Sequence, residues 1–386
     1  MTVARIALAA DPGHLTMADD DLTRFGVGLL QLLDAAATNS TYKYALLVAL
    51  IDSATESVGA RGGPRGSVTT EVLARRVIGL YWPQSRAWHD ADGGSRVLKA
   101  LGSRGASFVD RIVDARAGLP ARTTPRELEL AHPDRWGGLL DGVEETLIRY
   151  PIPLLQRVGG DDVVLLYEPS PWPEQGAGLR LAAHFAARRA GSATSEFDNR
   201  VVFLPGAEES LARLAPLLRP LVMERWARWT ERANRLTGER TLYDFLFGAD
   251  RISLAPVRDG IRALQDGACF YCGEPLGGAC HVDHFVPWAR VGCDDLFNLV
   301  AAHARCNSSK RDHLAARRHV ERWADRLDRR ADDLSELGEK VDWAADGEHA
   351  RRIAVSAYAL AGDFTRLWIQ GGEFEAFDAD LVEVMA

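Results

Sequence analysis

Cys269-Phe-Tyr-Cys272, then His281-Val-Asp-His284-Phe-Val-Pro287, then Asn298-Leu-Val-Ala-Ala-His303-Ala-Arg-Cys306-Asn307-Ser-Ser-Lys310: the reading of these three stretches decides the fold. All five cysteines of the 386-residue chain lie between Cys269 and Cys306. A disulfide framework would spread its cysteines through the fold. Cysteines crowded among histidines and absent elsewhere read instead as metal ligands in a reducing compartment.

The soft ligands come first. Cys269 and Cys272 have the spacing of a zinc knuckle, a turn that points two thiolates at one ion. His303 and Cys306, also two residues apart, supply a second pair. Together they make a Cys3His tetrahedral set, a closed structural zinc site with no position left for water. Its sulfur content suits Zn²⁺ far better than Mg²⁺. Free buried thiols and a core histidine are the plain alternative, and two correctly spaced pairs argue against it. Cys280 and Cys293 could each replace a ligand, but neither has a close partner, so they read as packing residues.

The hard ligands lie between and beside the soft ones. Asp283 and His284 end a short β-type run, and Asn298 and Asn307 follow. A carboxylate and an amide oxygen converging on one site suit Mg²⁺, with water completing the shell. A neutral imidazole beside that ion can take a proton from water. A base that makes the nucleophile and a metal that stabilises the leaving oxygen are the working parts of phosphodiester hydrolysis. In a strand, His281 shares a face with Asp283. It could touch a phosphate, be a spare ligand, or be a plain strand residue. His313 and His319 are expected to face solvent. Arg290, Arg305 and Arg311 are candidate backbone contacts, each weak because arginine is so frequent in this chain.

The order C-x-x-C, D-H-x-x-P, N-L, H-x-x-C-N-x-x-K resembles the HNH endonucleases of the ββα-metal class. The resemblance covers about 45 residues, with thirteen residues between His284 and Asn298 and eight between Asn298 and Asn307. It implies His284 as the general base, Asp283 and Asn307 as ligands of a catalytic Mg²⁺ or Mn²⁺, and Asn298 as the residue that holds the loop and orients the histidine. It implies Lys310 as a basic residue facing phosphate; His281, Arg290 and Arg311 stay candidate nucleic-acid contacts on the reading of the residues alone. It also implies a β-hairpin ending at Asp283-His284, a loop, and a helix starting near Leu299, with Zn²⁺ on Cys269, Cys272, His303 and Cys306. Two positions depart from the commoner pattern. His303 stands where a cysteine is usual, and Asn307 replaces the last histidine.

Outside this segment the chain is informative mainly by exclusion. Its net charge is −8, with 47% apolar and 26% charged residues. That composition allows a sizeable core and argues against a general basic coat, although not against a local basic groove. Only Lys43, Lys99, Lys310 and Lys340 are lysines. No apolar run is long enough to span a membrane, and the N-terminus lacks the parts of a signal peptide, so a cytoplasmic location is expected. No P-loop, G-x-S-x-G or dinucleotide fingerprint occurs.

Helical periodicity dominates. It predicts helices over 22–37, 41–56, 69–81 and 206–236, with Trp226 and Trp229 as core residues. Short strand-like runs occur at 162–168 and 200–204. A Gly-rich basic stretch, 58–67, could touch phosphates but reads rather as a linker, and a Pro/Gly stretch, 169–178, reads as a loop. The expected fold class is α+β, mainly helical: a helical N-terminal region with a small β-sheet, then a zinc-stabilised ββα-metal HNH module, then C-terminal helices. The expected domains are 1–150 helical, 151–250 α+β, 251–330 HNH nuclease, and 331–386 an acidic helical segment.

The functional expectation is a metal-dependent DNA endonuclease serving bacterial defence against phage or foreign DNA. DNA, a second copy of the chain or a partner defence protein are the expected partners, with no membrane. The rivals are a non-catalytic zinc-stabilised nucleic-acid-binding module and an RNase or tRNA-targeting toxin with the same chemistry.

Overall fold

The computed structural model describes residues 4–5, 19–35, 40–58, 64–89, 94–101, 107–120, 123–158, 161–169, 177–191, 197–236, 241–247, 254–277, 280–291, 293–341, 343–361, 365–378 and 380–385. Residues 59–63 of the 58–67 stretch and 170–176 of the 169–178 stretch lie outside them. The chain is a mainly helical α+β protein with small sheets. It divides into two compact units, residues 1–54 with 65–251, and residues 55–64 with 252–386.

The first unit is built on helices whose ends are written in the sequence. Ser107 caps Phe108–Ala115 and Thr124 caps Pro125–Ala131, each in a reciprocal box with the acid three residues on, Asp110 and Glu127. Tyr42–Val58 carries the apolar run of the sequence, and Ala45 through Ile51 are all fully buried. The long helix Ala207–Asn234 contains Pro216 and Pro220 and buries Trp226 and Trp229. Its buried Arg219 pairs with Asp52 at 2.8 Å, so the charge is taken inside only with its counterion. The strands are short. Ser67–Thr69 pairs antiparallel with Arg200–Val202, while Asp161–Val164 lies between Ala4–Arg5 and Arg157–Val158.

The second unit positions the ligands quoted above. Helix Ala255–Leu264 leads into the Cys269–Cys272 turn. Gly260 on that helix leaves no room for a Cβ, which would meet Leu337 Cδ1 at 2.3 Å. Strand His281–His284 pairs antiparallel with strand Leu299–Ala302, Asp283 opposite Val300 and His284 opposite Leu299. Helix Ala304–Lys310 follows and packs against the first of these strands. The expected helix near Leu299 therefore starts at Ala304. Leu299–Ala302 is the second strand of the pair, buried at every position, and Leu-Val there favours a covered strand. Helices Arg317–Arg329, Ala331–Val341 and Gly347–Ala359 close the core, with Trp323 stacked on Phe285 at 4.8 Å. The 331–386 segment is not wholly helical. Arg366–Gln370 and Glu373–Ala376 form an antiparallel hairpin, turned at Gly371 with φ 50°.

Candidate active site

The soft ligands meet. One donor atom from each of Cys269, Cys272, His303 and Cys306 lies within 4.8 Å of all the others. The turn that brings the two cysteines together ends at Gly273, whose φ of 75° suits glycine. His303 N–H donates to Cys269 Sγ at 3.4 Å, and Cys272 Sγ lies 3.3 Å from His303 Nδ1. The other ring nitrogen, Nε2, faces the Pro275 carbonyl at 3.2 Å. A proton on Nε2 donates to that carbonyl and leaves Nδ1 aimed at the cluster, the arrangement that orients metal-bound histidines. Burial and the charges of Cys269 and Cys272 push Cys306 up to about 12. Burial also acts to raise Cys272, but hydrogen bonding from the Glu274 backbone, Cys269, His303 and Cys306 brings it to about 7. Such a set fits Zn²⁺, which would relieve the crowding of thiolates. Cys280 and Cys293 are buried, with Cys293 pushed well up by burial, and both lie outside the cluster.

Alternation along the 281–284 strand sends the two site residues to different neighbours. Asp283 receives the Tyr271 hydroxyl at Oδ2, 2.6 Å away, and Lys310 Nζ lies 3.2 Å from the same oxygen. No described residue engages Oδ1. His284 Nε2 lies 2.9 Å from Asp294 Oδ1. Asn298 is 1% exposed and uses both ends of its amide. Its Oδ1 accepts from Val286 N–H at 2.8 Å, while Nδ2 donates to the carbonyls of Val286 at 3.0 Å and Cys293 at 3.1 Å. Those bonds tie both ends of the loop after His284. Asn307 is half-buried on the helix that packs against the Asp283 strand.

Lys310 departs from the expectation of a phosphate-facing surface residue. Its side chain is fully buried, donating to the His284 carbonyl at 2.8 Å and pairing with Asp283. Burial pulls its ammonium below the usual range, with Asp283 opposing. A lysine there neutralises the Asp283 carboxylate and anchors its strand rather than meeting solvent-borne phosphate. His281 is exposed at the start of the strand. Arg290 is half-buried, and its Nε donates to the Asp312 carbonyl at 2.9 Å, so part of its guanidinium holds the loop. Arg311 is exposed just beyond the helix, with φ 50°. Arg305 is exposed beside the Cys272 and Cys306 sulfurs.

His319 also departs from expectation. It is fully buried, 2.7 Å from the Ile369 carbonyl through Nε2 and stacked on Trp368. Burial lowers it to about 4, so it is neutral in the fold. His313 is partly covered and meets Phe374 edge-on.

Two neighbours of the site were not singled out in the sequence. Tyr271 was visible only as a filler between two cysteines. Asp294 carried no motif, and its contact with His284 arises from loop closure.

Residues 269–313 match the family model for HNH endonuclease. Comparison with curated proteins and with solved structures returns no match. Residues 269–313 thus fit the HNH family, in a variant with a Cys3His cluster suited to zinc. Among the described residues, no helix is long and apolar enough to cross a membrane.

Proposed function

We propose that the protein is a metal-dependent DNA endonuclease that hydrolyses phosphodiester bonds at its HNH module. The observation that carries this reading is the joint placement of Asp283 and His284 on one strand, beside the helix of Asn307, with Asn298 clamping the loop between. Folding around zinc alone does not call for Asp283, His284 and Asn307 together.

His284 is the general base. Asp294 accepts from Nε2–H, which holds the ring and leaves the lone pair on Nδ1 for the proton of the attacking water. Asn298 keeps the 286–293 loop, and with it the imidazole, in place. Asp283 and Asn307 would hold Mg²⁺ or Mn²⁺, which when bound supplies charge stabilisation at the leaving 3′ oxygen. The products are 5′-phosphate and 3′-hydroxyl ends. Arg311, Arg305 and His281 are the exposed contacts for the nucleic-acid backbone. One such centre cuts one strand, so a double-strand break requires a dimer or two events. The biological setting that fits is defence against phage or foreign DNA in the cytoplasm, with a partner protein or a groove of the N-terminal region supplying the positive surface that a chain of net charge −8 otherwise lacks.

Plasmid nicking in Mg²⁺ tests the reading. Nicking by the native chain that disappears in His284→Ala is the expected result, and cleavage surviving that change would overturn it. Matched DNA and RNA strands separate the DNA reading from the RNase rival.

A further inference from the structure

The residue between the zinc-type cysteines points at the other site. Tyr271 lies within the Cys269–Cys272 turn, yet its hydroxyl donates to Asp283 Oδ2. Its ring has little freedom. Trp368 and His319 meet it edge-on at 5.2 and 5.3 Å, and Lys310 Nζ stands 5.8 Å from its centroid. The backbone is pinned as well. Arg322 donates to the Phe270 carbonyl and, at 3.4 Å, to that of Tyr271. Tyr271 and Lys310 share one carboxylate oxygen, so the carboxylate is held by Oδ2 and offers Oδ1.

We propose that Tyr271 is the positioning residue for the catalytic cation, linking the Cys3His cluster to Asp283 by fixing which carboxylate oxygen is offered. This rests on Asp283 being a cation ligand, as read above. The cysteine turn decides where the phenol lands, and the phenol decides how the carboxylate is presented. Zinc loading and catalytic-metal affinity are coupled through this one hydroxyl. Residues that hold a ligand in place in this way are worth roughly 10–100-fold in metal affinity.

The test is Mn²⁺ binding to the zinc-loaded full chain, read by electron paramagnetic resonance, for the native protein, Tyr271→Phe and Asp283→Asn. Tyr271→Phe removes one oxygen. It should keep its zinc and its thermal transition, lose about 10–100-fold in Mn²⁺ affinity, and regain cleavage at saturating Mn²⁺. A higher metal requirement with a near-native kcat marks positioning, which loss of folding would not mimic. Native affinity in Tyr271→Phe, while Asp283→Asn abolishes binding, would overturn the proposal and leave the nuclease reading standing. Native-level Mn²⁺ binding by Asp283→Asn would remove both.

Discussion

The Cys3His cluster and the Asp283–His284 site lie in the same short module, yet they are built by opposite means. The cluster is local. Two pairs of residues, each two apart, supply every ligand, and the surrounding chain has only to bring two turns together. The proposed hydrolytic site is assembled from afar. Its carboxylate is held by Tyr271 and Lys310, its imidazole by Asp294, and the wall behind Tyr271 by His319 and Trp368. Soft ligands can be specified by spacing alone, because a turn geometry repeats wherever the spacing does. A hard, sparse site needs each group oriented by packing, and packing is not periodic in sequence.

The largest expected effect would break the contrast from the zinc side. Cys306→Ser, or chelation of zinc from the native chain, should cost the second unit its folding transition as well as its cleavage. Structural zinc sites contribute about 10–16 kcal/mol of apparent binding energy to small folds. Metal analysis with calorimetry would check it, and a zinc-free protein with an unchanged transition would show that the cluster is not a scaffold. His284→Ala comes next. Cleavage should fall by about 10²–10⁴-fold while zinc content and unfolding stay native, since a general base contributes to rate rather than to folding.

A smaller effect comes through His319. Its folded value of about 4 lies below the ordinary 6.5, so the neutral form is the one the fold accepts. The stabilisation is therefore fully present above pH 6.5 and is lost as pH falls through about 4. At full loss it amounts to about 3 kcal/mol. Denaturant unfolding between these limits should show the slope in the native chain and a flatter one in His319→Gln. An equal slope in both would assign acid sensitivity elsewhere. The smallest change is expected at the rim. Arg311→Ala should weaken DNA binding at all sequences alike and lower the log–log salt slope by about one, as measured by fluorescence anisotropy.

Much of the module was legible in sequence because its signals are local. C-x-x-C and H-x-x-C announce a metal cluster and the 281–284 run announces a strand, while Asn298 follows from the family resemblance, which implies a helix after it where the structure has the strand Leu299–Ala302. The first unit was legible to a similar degree. The apolar run through Ile51 is a buried helix, whereas the short capped helices Phe108–Ala115 and Pro125–Ala131 carry too little periodicity to be read from sequence. The family resemblance implies Lys310 as a residue facing phosphate, and the structure buries it against Asp283 instead. A lysine four-carbon stem can reach a buried carboxylate, and once paired there it has no reason to face water. His319 is expected to face solvent and is fully buried. Its neighbours on the helix are arginines, but the face it occupies turns inward against Trp368. The hairpin at 366–376 was hidden in an acidic segment, since its cross-strand partners give no helical or long alternating pattern.

By itself the sequence determined the donor types, their spacing and so the chemistry of the module, because ligand identity and turn geometry are local properties. Only the tertiary structure decided which oxygen of Asp283 is held and which is open, which carboxylate meets His284, and that Lys310 works from inside. Those facts depend on side chains that are neighbours in space across tens of residues, such as Tyr271 with Trp368, and no spacing rule carries that information.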